Sequence, residues 1–186
     1  TLIRIVFKSP TTISEIRGEL SRAGLGESVI QESGQPNREY MIRTMQVIST
    51  KDTQQELEAH EKLGTKVIEA LRGEDGKAET AQGLRDLNNI DLAGLTALLR
   101  QAFPDKGEEL AKKIVDYRTN KTPGSGIIED YAKLSEAGIS PDVIKELQAK
   151  TFLGKLTVVS KETVGPQAGA DLRRKATLAT VWALIG

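Results

Sequence analysis

Cysteine is absent from the 186 residues, which excludes a disulfide framework and a thiolate metal site. Histidine occurs once, as His60. That excludes histidine clusters and leaves one imidazole for any Ser–His–Asp arrangement, so the composition weighs against an enzyme. Aromatic residues make up only 4% of the chain, against 38% hydrophobic residues in all, so the core must be mostly aliphatic. There is no excess of either charge: 26 Lys and Arg stand against 26 Asp and Glu. Nothing in that balance attracts nucleic acid or an anionic membrane surface. Long hydrophobic runs are missing too. The last stretch, Ala176 to Gly186, is uncharged and mostly apolar, but a bilayer span takes about 20 residues.

A chain of this size buries about 70% of the surface its unfolded form exposes, enough for one domain or two small ones. It opens on Thr1 and runs straight into an apolar strand, with no signal peptide ahead of it. Beginning on a strand and stopping within a hydrophobic run, it reads as a piece of something longer.

Leu2–Phe7 alternates as a half-buried strand, with Ile3, Ile5 and Phe7 on one face and Leu2, Arg4 and Val6 on the other. Ser9-Pro10 breaks it. Thr12-x-x-Glu15 then spells a capping box, and Ile13, Ile16, Leu20 and Ala23 follow at helical spacing until Gly24 and Gly26. A short strand over Glu27–Glu32, turn residues Ser33 to Asn37 and a longer strand over Arg38–Val47 come next. A second capping box, Thr53-x-x-Glu56, opens a helix with its stripe at Leu57, Val67, Ile68 and Leu71; Gly73 should stop it, and 73–77 should be a solvated break. The next clear strand is Lys155–Ser160. The skeleton is therefore β-α-β-β-α-β, the split-βαβ or ferredoxin-like arrangement. The expected class is α+β, with an all-helical insertion before the last strand.

That insertion, 73–152, carries four apolar stripes: Leu92, Leu95, Leu98 and Leu99; Leu110, Ile114 and Tyr117; Ile127, Ile128, Tyr131 and Leu134; and Val143, Ile144 and Leu147. Pro104, Pro123-Gly124 and Gly138 to Pro141 punctuate them. The expected organisation is a ferredoxin-like domain over 1–72 and 153–170, a compact helical subdomain over 73–152, and a helix over 171–186 leading into a truncated membrane segment.

Two stretches carry a family resemblance. Val164-Gly165-Pro166-Gln167-Ala168-Gly169, placed between a strand and an apolar helix start, resembles the approach to the second transmembrane helix of SecF, a membrane subunit of the bacterial Sec export machinery. Leu2–Phe7 with Ser9-Pro10, Ala23-Gly24-Leu25-Gly26 and Ile42-Arg43-Thr44 is similar to the start of the soluble SecF loop. The resemblance covers roughly 1–72 and 153–186. It implies an extracytoplasmic (periplasmic) loop of an inner-membrane protein, moored by flanking membrane helices, that assists proton-motive-force-driven translocation. The implied partners are SecD, YajC, the Sec channel and the unfolded exported polypeptide. Most loops of that family join the second helix directly to the last strand, so the helical insertion is a departure. Arg173-Arg174-Lys175 ahead of the apolar run favours a cytoplasmic flank, although long translocated loops are governed weakly by such charges.

Within the insertion, Leu87-Asn88-Asn89-Ile90-Asp91, Ala111 to Arg118, Ile128-Glu129-Asp130 and Ala137-Gly138-Ile139-Ser140 resemble a tandem helix-hairpin-helix module. That module occurs in DNA-uptake receptors and in the type II secretion pseudopilin GspK. The alternative function is therefore a nucleic-acid-binding or secretion-scaffold module. Pro104-Asp105-Lys106-Gly107 stands where a phosphate-binding G-x-G turn would be, and 73–152 holds 11 Lys and Arg against 14 Asp and Glu, a net of −3. A phosphate-neutralising surface needs the opposite, so no nucleic acid is expected.

No residue is assigned to catalysis, to a cofactor or to a metal. His60 reads as a solvated helix-face residue without a second ligand nearby. Glu108-Glu109 and Glu129-Asp130 are neighbours on helices, where adjacent side chains diverge, and so make no acid–base pair. Gly165 to Gly169 lacks the lysine of a phosphate loop; Val164, Gly165, Pro166 and Gly169 read as a strand-to-helix corner and a candidate hinge. Arg118 and Tyr131 are the expected partner-contact surface.

Overall fold

The structure, a computed structural model, describes residues 1–44, 53–121 and 126–162. The chain begins with β1 (Leu2–Phe7), α1 (Ile13–Arg22), β2 (Val29–Glu32), β3 (Glu39–Arg43) and α2 (Thr53–Ala81). It continues through β4 (Arg85–Asp86), α3 (Leu92–Ala102), α4 (Gly107–Asp116), a π turn (Tyr117–Lys121) and a 3-10 helix (Tyr131–Ala137) to α5 (Pro141–Lys150), β5 (Thr151–Phe152) and β6 (Leu156–Glu162). The class is mixed, α+β: a four-stranded sheet in the order β2-β3-β1-β6 and a two-stranded one, β4-β5. All neighbours in the larger sheet are antiparallel, whereas β4 and β5 run parallel.

The alternation of β1 places Ile3, Ile5 and Phe7 toward α1 and α2. Ile16 and Leu20 from α1, and Leu63, Val67 and Leu71 from α2, meet them in one aliphatic core with Ile42 and Tyr40. The α2 residues recur every fourth position, the spacing that holds one helix face to a sheet. Val6, on the opposite face of β1, is also buried. The capping box at Thr12 forms as its sequence spells: Thr12 N–H donates to Glu15 at 2.7 Å and Glu15 N–H to the Thr12 hydroxyl at 3.3 Å. Tyr40 packs edge-on against Phe7 at 6.0 Å between centroids, and its hydroxyl donates to the Thr11 carbonyl.

Several expected boundaries move. β2 starts at Val29, β3 ends at Arg43 and β6 runs from Leu156 to Glu162. The continuation of the third strand to Val47, like the capping box at Thr53 and Glu56 with Leu57 beside it, lies outside the described residues or side chains. Gly73 does break α2, with φ +74° and ψ −179°, a region only glycine enters without strain. The segment after it is helical through Ala81 rather than a solvated loop, and Gly76 is buried. Once the backbone has turned at Gly73, Glu74–Ala81 holds no proline, and Glu74, Lys77, Ala78, Glu79 and Ala81 favour a helix enough to carry Gly76 within it.

A second core fills the helical part. Leu95 and Leu99 from α3, Ile114 from α4, Leu134 from the 3-10 helix, and Val143 and Leu147 from α5 pack together with Leu87. Asp91 caps α3 by accepting the Gly94 N–H at 2.8 Å. Asp130 caps the 3-10 turn, and Gly138 ends it in the left-handed region before Pro141 opens α5. The third apolar stripe does not make one helix: Ile127 and Ile128 are buried in irregular backbone, and only Tyr131–Ala137 coils, as a 3-10 turn. Among the described residues no helix is long and apolar enough to cross a membrane.

Candidate functional site

The chain passes from the sheet into the helices and back through one junction. Outgoing β4 and returning β5 pair in parallel, Arg85 with Thr151 and Asp86 with Phe152, and Leu87 N–H donates to the Phe152 carbonyl at 2.9 Å. Asp86, with a side chain 8% exposed, gathers three donors. One carboxylate oxygen accepts from Asn88 N–H at 3.0 Å and Gly154 N–H at 3.1 Å, the other from Asn89 Nδ2 at 2.7 Å. Gly154 has to be glycine, since a Cβ there would overlap the Asp86 carboxylate.

Asn88 is 1% exposed, and its amide is fully engaged. Nδ2 donates to the carbonyls of Ile128 and Gly154, both at 3.1 Å, and Oδ1 accepts from Ile128 N–H at 2.8 Å. Asn89 faces the edge of β6: its Nδ2 donates to the Leu156 carbonyl at 2.8 Å and its Oδ1 accepts from Val158 N–H at 3.0 Å. Between them, the Thr157 hydroxyl donates to the Asn88 carbonyl at 2.8 Å.

Arg118, in the π turn, holds the other side of this loop by donating to the carbonyls of Leu87 at 2.7 Å and Ile90 at 3.1 Å. Burial pulls its guanidinium below the usual arginine value, and the Asp86 charge opposes that. The Tyr131 hydroxyl shares a 2.8 Å hydrogen bond with the Thr151 hydroxyl. Its pKa is raised chiefly by burial. Farther out, Arg38 in the β2–β3 turn pairs with Glu129 at 2.7 Å, which lowers the Glu129 pKa chiefly through that hydrogen bond.

A cavity of about 710 Å³ opens beside the junction. Val6, Ile68 and Val158 line its apolar side and Arg4, Glu39, Arg72 and Arg118 its polar side. Much of the polar lining is already committed. Arg4 pairs with the buried Glu39 at 2.5 Å, and Asn88, Asn89 and Thr157, which also reach the cavity, make the bonds just described. The buried Nε of Arg72 has no hydrogen bond and lies 3.8 Å from Asp86. Among the described residues no group of His, Asp and Glu could hold a metal ion.

No protein-family model matches the chain, and no solved structure does. A curated sequence does: the protein translocase subunit SecF of Koribacter versatilis (strain Ellin345), 30% identical over 196 residues. That match takes in 100% of this chain, the helical segment as well as the sheet. The chain is a SecF-like domain. It spans 45% of the length of that relative.

The expected site residues of this SecF-like domain fare differently. Val164, Gly165, Pro166 and Gly169, and with them 163–186, lie outside the described residues. Arg118 and Tyr131 are half-buried and face inward to Leu87, Ile90 and Thr151. His60 is half-buried rather than solvated, and its carbonyl accepts from the Thr1 hydroxyl at 3.1 Å. Asp86 has no place in the sequence reading, and Asn88 and Asn89 enter it only within the helix-hairpin-helix resemblance; the cue to their junction role is two adjacent asparagines between an apolar Leu87 and Ile90. Beyond the bonds they make with one another, the hydrogen-bond partners of their side chains lie 40 to 69 residues away, which no local pattern reveals.

Proposed function

We propose that this chain is the extracytoplasmic domain of an inner-membrane SecF-like subunit that assists protein export. One observation carries the reading: the match to a protein translocase subunit SecF over the whole chain. The strand order β2-β3-β1-β6 with antiparallel neighbours supports a ferredoxin-like core, because it is the order that a split β-α-β-β-α-β chain generates. The separate aliphatic cluster of α3 to α5 supports treating 73–152 as a subdomain of its own, built in the helix-hairpin-helix manner.

The domain acts by contact, not catalysis. Its partners are SecD, YajC, the Sec channel and the exported chain, and translocation draws on the proton-motive force acting through membrane segments outside this domain. The domain moves as a rigid body relative to those segments, with Val164 to Gly169 as its hinge. A phosphate-binding role for the helices is disfavoured by their surface: Lys112 pairs with Glu108 and Lys113 with Glu109, each at 2.7 Å. Those lysines are already matched by carboxylates one helical turn away.

The test is photo-crosslinking in the full-length subunit from exposed positions of the helical segment, Gln148 and Ala132. An export intermediate arrested in the channel should be captured, or SecD. Capture of neither, with the subunit still supporting export, overturns the contact role.

A further inference from the structure

β6 pairs with β1 along one edge. An exposed edge leaves N–H and C=O groups free to pair with other chains. Here part of the outer edge is closed by side chains in place of another strand. The Asn89 amide presents one donor and one acceptor to β6, to the Leu156 carbonyl and the Val158 N–H, as a strand's peptide group would. Asn88 does the same on the helical side, taking both N–H and C=O of Ile128. The two residues are consecutive, so a single peptide bond joins a bridge to the sheet and a bridge to the helices. Asp86 fixes the orientation of this pair through Asn88 N–H and Asn89 Nδ2, and Arg118 secures the carbonyls on either side.

We infer that Asn88 and Asn89 form a rigid joint that makes the helical segment and the sheet reorient as one body. A load borne by α3 to α5 then passes straight to β6 and, through the β1–β6 ladder, to β1. Amide bridges suit this role because the Asn88 bridge is buried and the Asn89 bridge half-buried: breaking one leaves the N–H of Ile128 or Val158 without its partner, which the fold resists. A loose linker would offer no such resistance. The biological source of the load rests on the export reading above, but the joint itself does not, and its test needs no translocation.

The test is backbone ¹⁵N relaxation on the 186-residue chain, comparing amides of β1, β3 and β6 with those of α3, α4 and α5. Both groups should give one common rotational correlation time in the native chain. Distinct times there would overturn the inference without any mutation. In Asn88→Ala/Asn89→Ala the two groups should separate, and hydrogen exchange at Ile128 and Val158 should accelerate about 10- to 100-fold, the penalty of an unpaired group expressed as a rate. The milder Asn89→Ala should accelerate Val158 alone, which keeps the test usable if the double variant does not fold. Arg38→Ala, which removes the outlying pair with Glu129, should leave common tumbling intact. Separation in Arg38→Ala, or none in the double variant, would show that the coupling lies elsewhere.

Discussion

The sheet half and the helical half of this molecule hold themselves together in different ways. In the sheet half, residues far apart in sequence meet through strand register: Ile5 stands opposite Tyr40 on one side and Val158 on the other. In the helical half most elements are short, α3, α4 and α5 being 11, 10 and 10 residues. Isolated helices of that length are marginal in water, so their order comes from capping and from packing on one another. The core of the sheet takes no residue from α3, α4 or α5, but part of the β6 edge is closed by Asn89. The helices depend on the junction, since Leu87 and Ile90 of the loop are part of their core. The dependence is unequal, and each way of perturbing one half tests it.

The largest effects should come from the two cores. Ile5→Ala and Leu99→Ala each remove a side chain that is 0% exposed and should each cost about 2–5 kcal/mol. Circular-dichroism melts should show one transition in both variants; a biphasic melt in Leu99→Ala, with the sheet surviving at the native Tm, would break the coupling between halves. Next is Gly154→Ala at the seam. The added methyl meets the Asp86 carboxylate and should lower stability by about 1–3 kcal/mol, read from urea midpoints, while α1 and its cap keep native hydrogen-exchange protection.

A smaller change, confined to the sheet half, is Thr12→Ala. It dismantles the capping box and should cost about 1 kcal/mol, with faster exchange in the first turn of α1 and none in α3. The smallest is Glu129→Gln, at the outer link between halves. Arg38 holds the Glu129 pKa below its usual value, so the pair's stabilisation is present at neutral pH, where the unfolded carboxyl is already ionised. It is lost as pH falls from that usual value through the lowered one. The difference in stability between native chain and variant should therefore be small at pH 7, about 1 kcal/mol or less, and shrink as pH falls below the usual carboxyl range.

The halves also differ in how much the sequence discloses. The alternation of Ile3, Ile5 and Phe7, the Thr12–Glu15 box and the spacing of Val67 and Leu71 each act locally, so the strands and helices they imply are found where expected, within a few residues. The stripes at Leu95–Leu99 and Val143–Leu147 are local as well, and they too become helices. Other features escape because their causes are distant. β4 and β5 are two residues each, too short to show a period, and exist because they find one another across 66 residues of chain. Tyr131, expected on the partner-contact surface, shares a hydroxyl bond with Thr151, 20 positions later. Arg118, expected on the same surface, donates to carbonyls 28 and 31 positions earlier, and neither bond has a local signature.

The parallel course of β4 and β5 has a bearing on how such a chain could arise. The polypeptide comes back beside itself, only about 4.8 Å to the side and travelling in its original direction, so a chain that ran through β4 and on into the residues after β5 would need no reversal. Everything from Leu87 to Phe152 could then be gained or discarded in a single genetic event, with the path from α2 into β6 keeping its heading throughout.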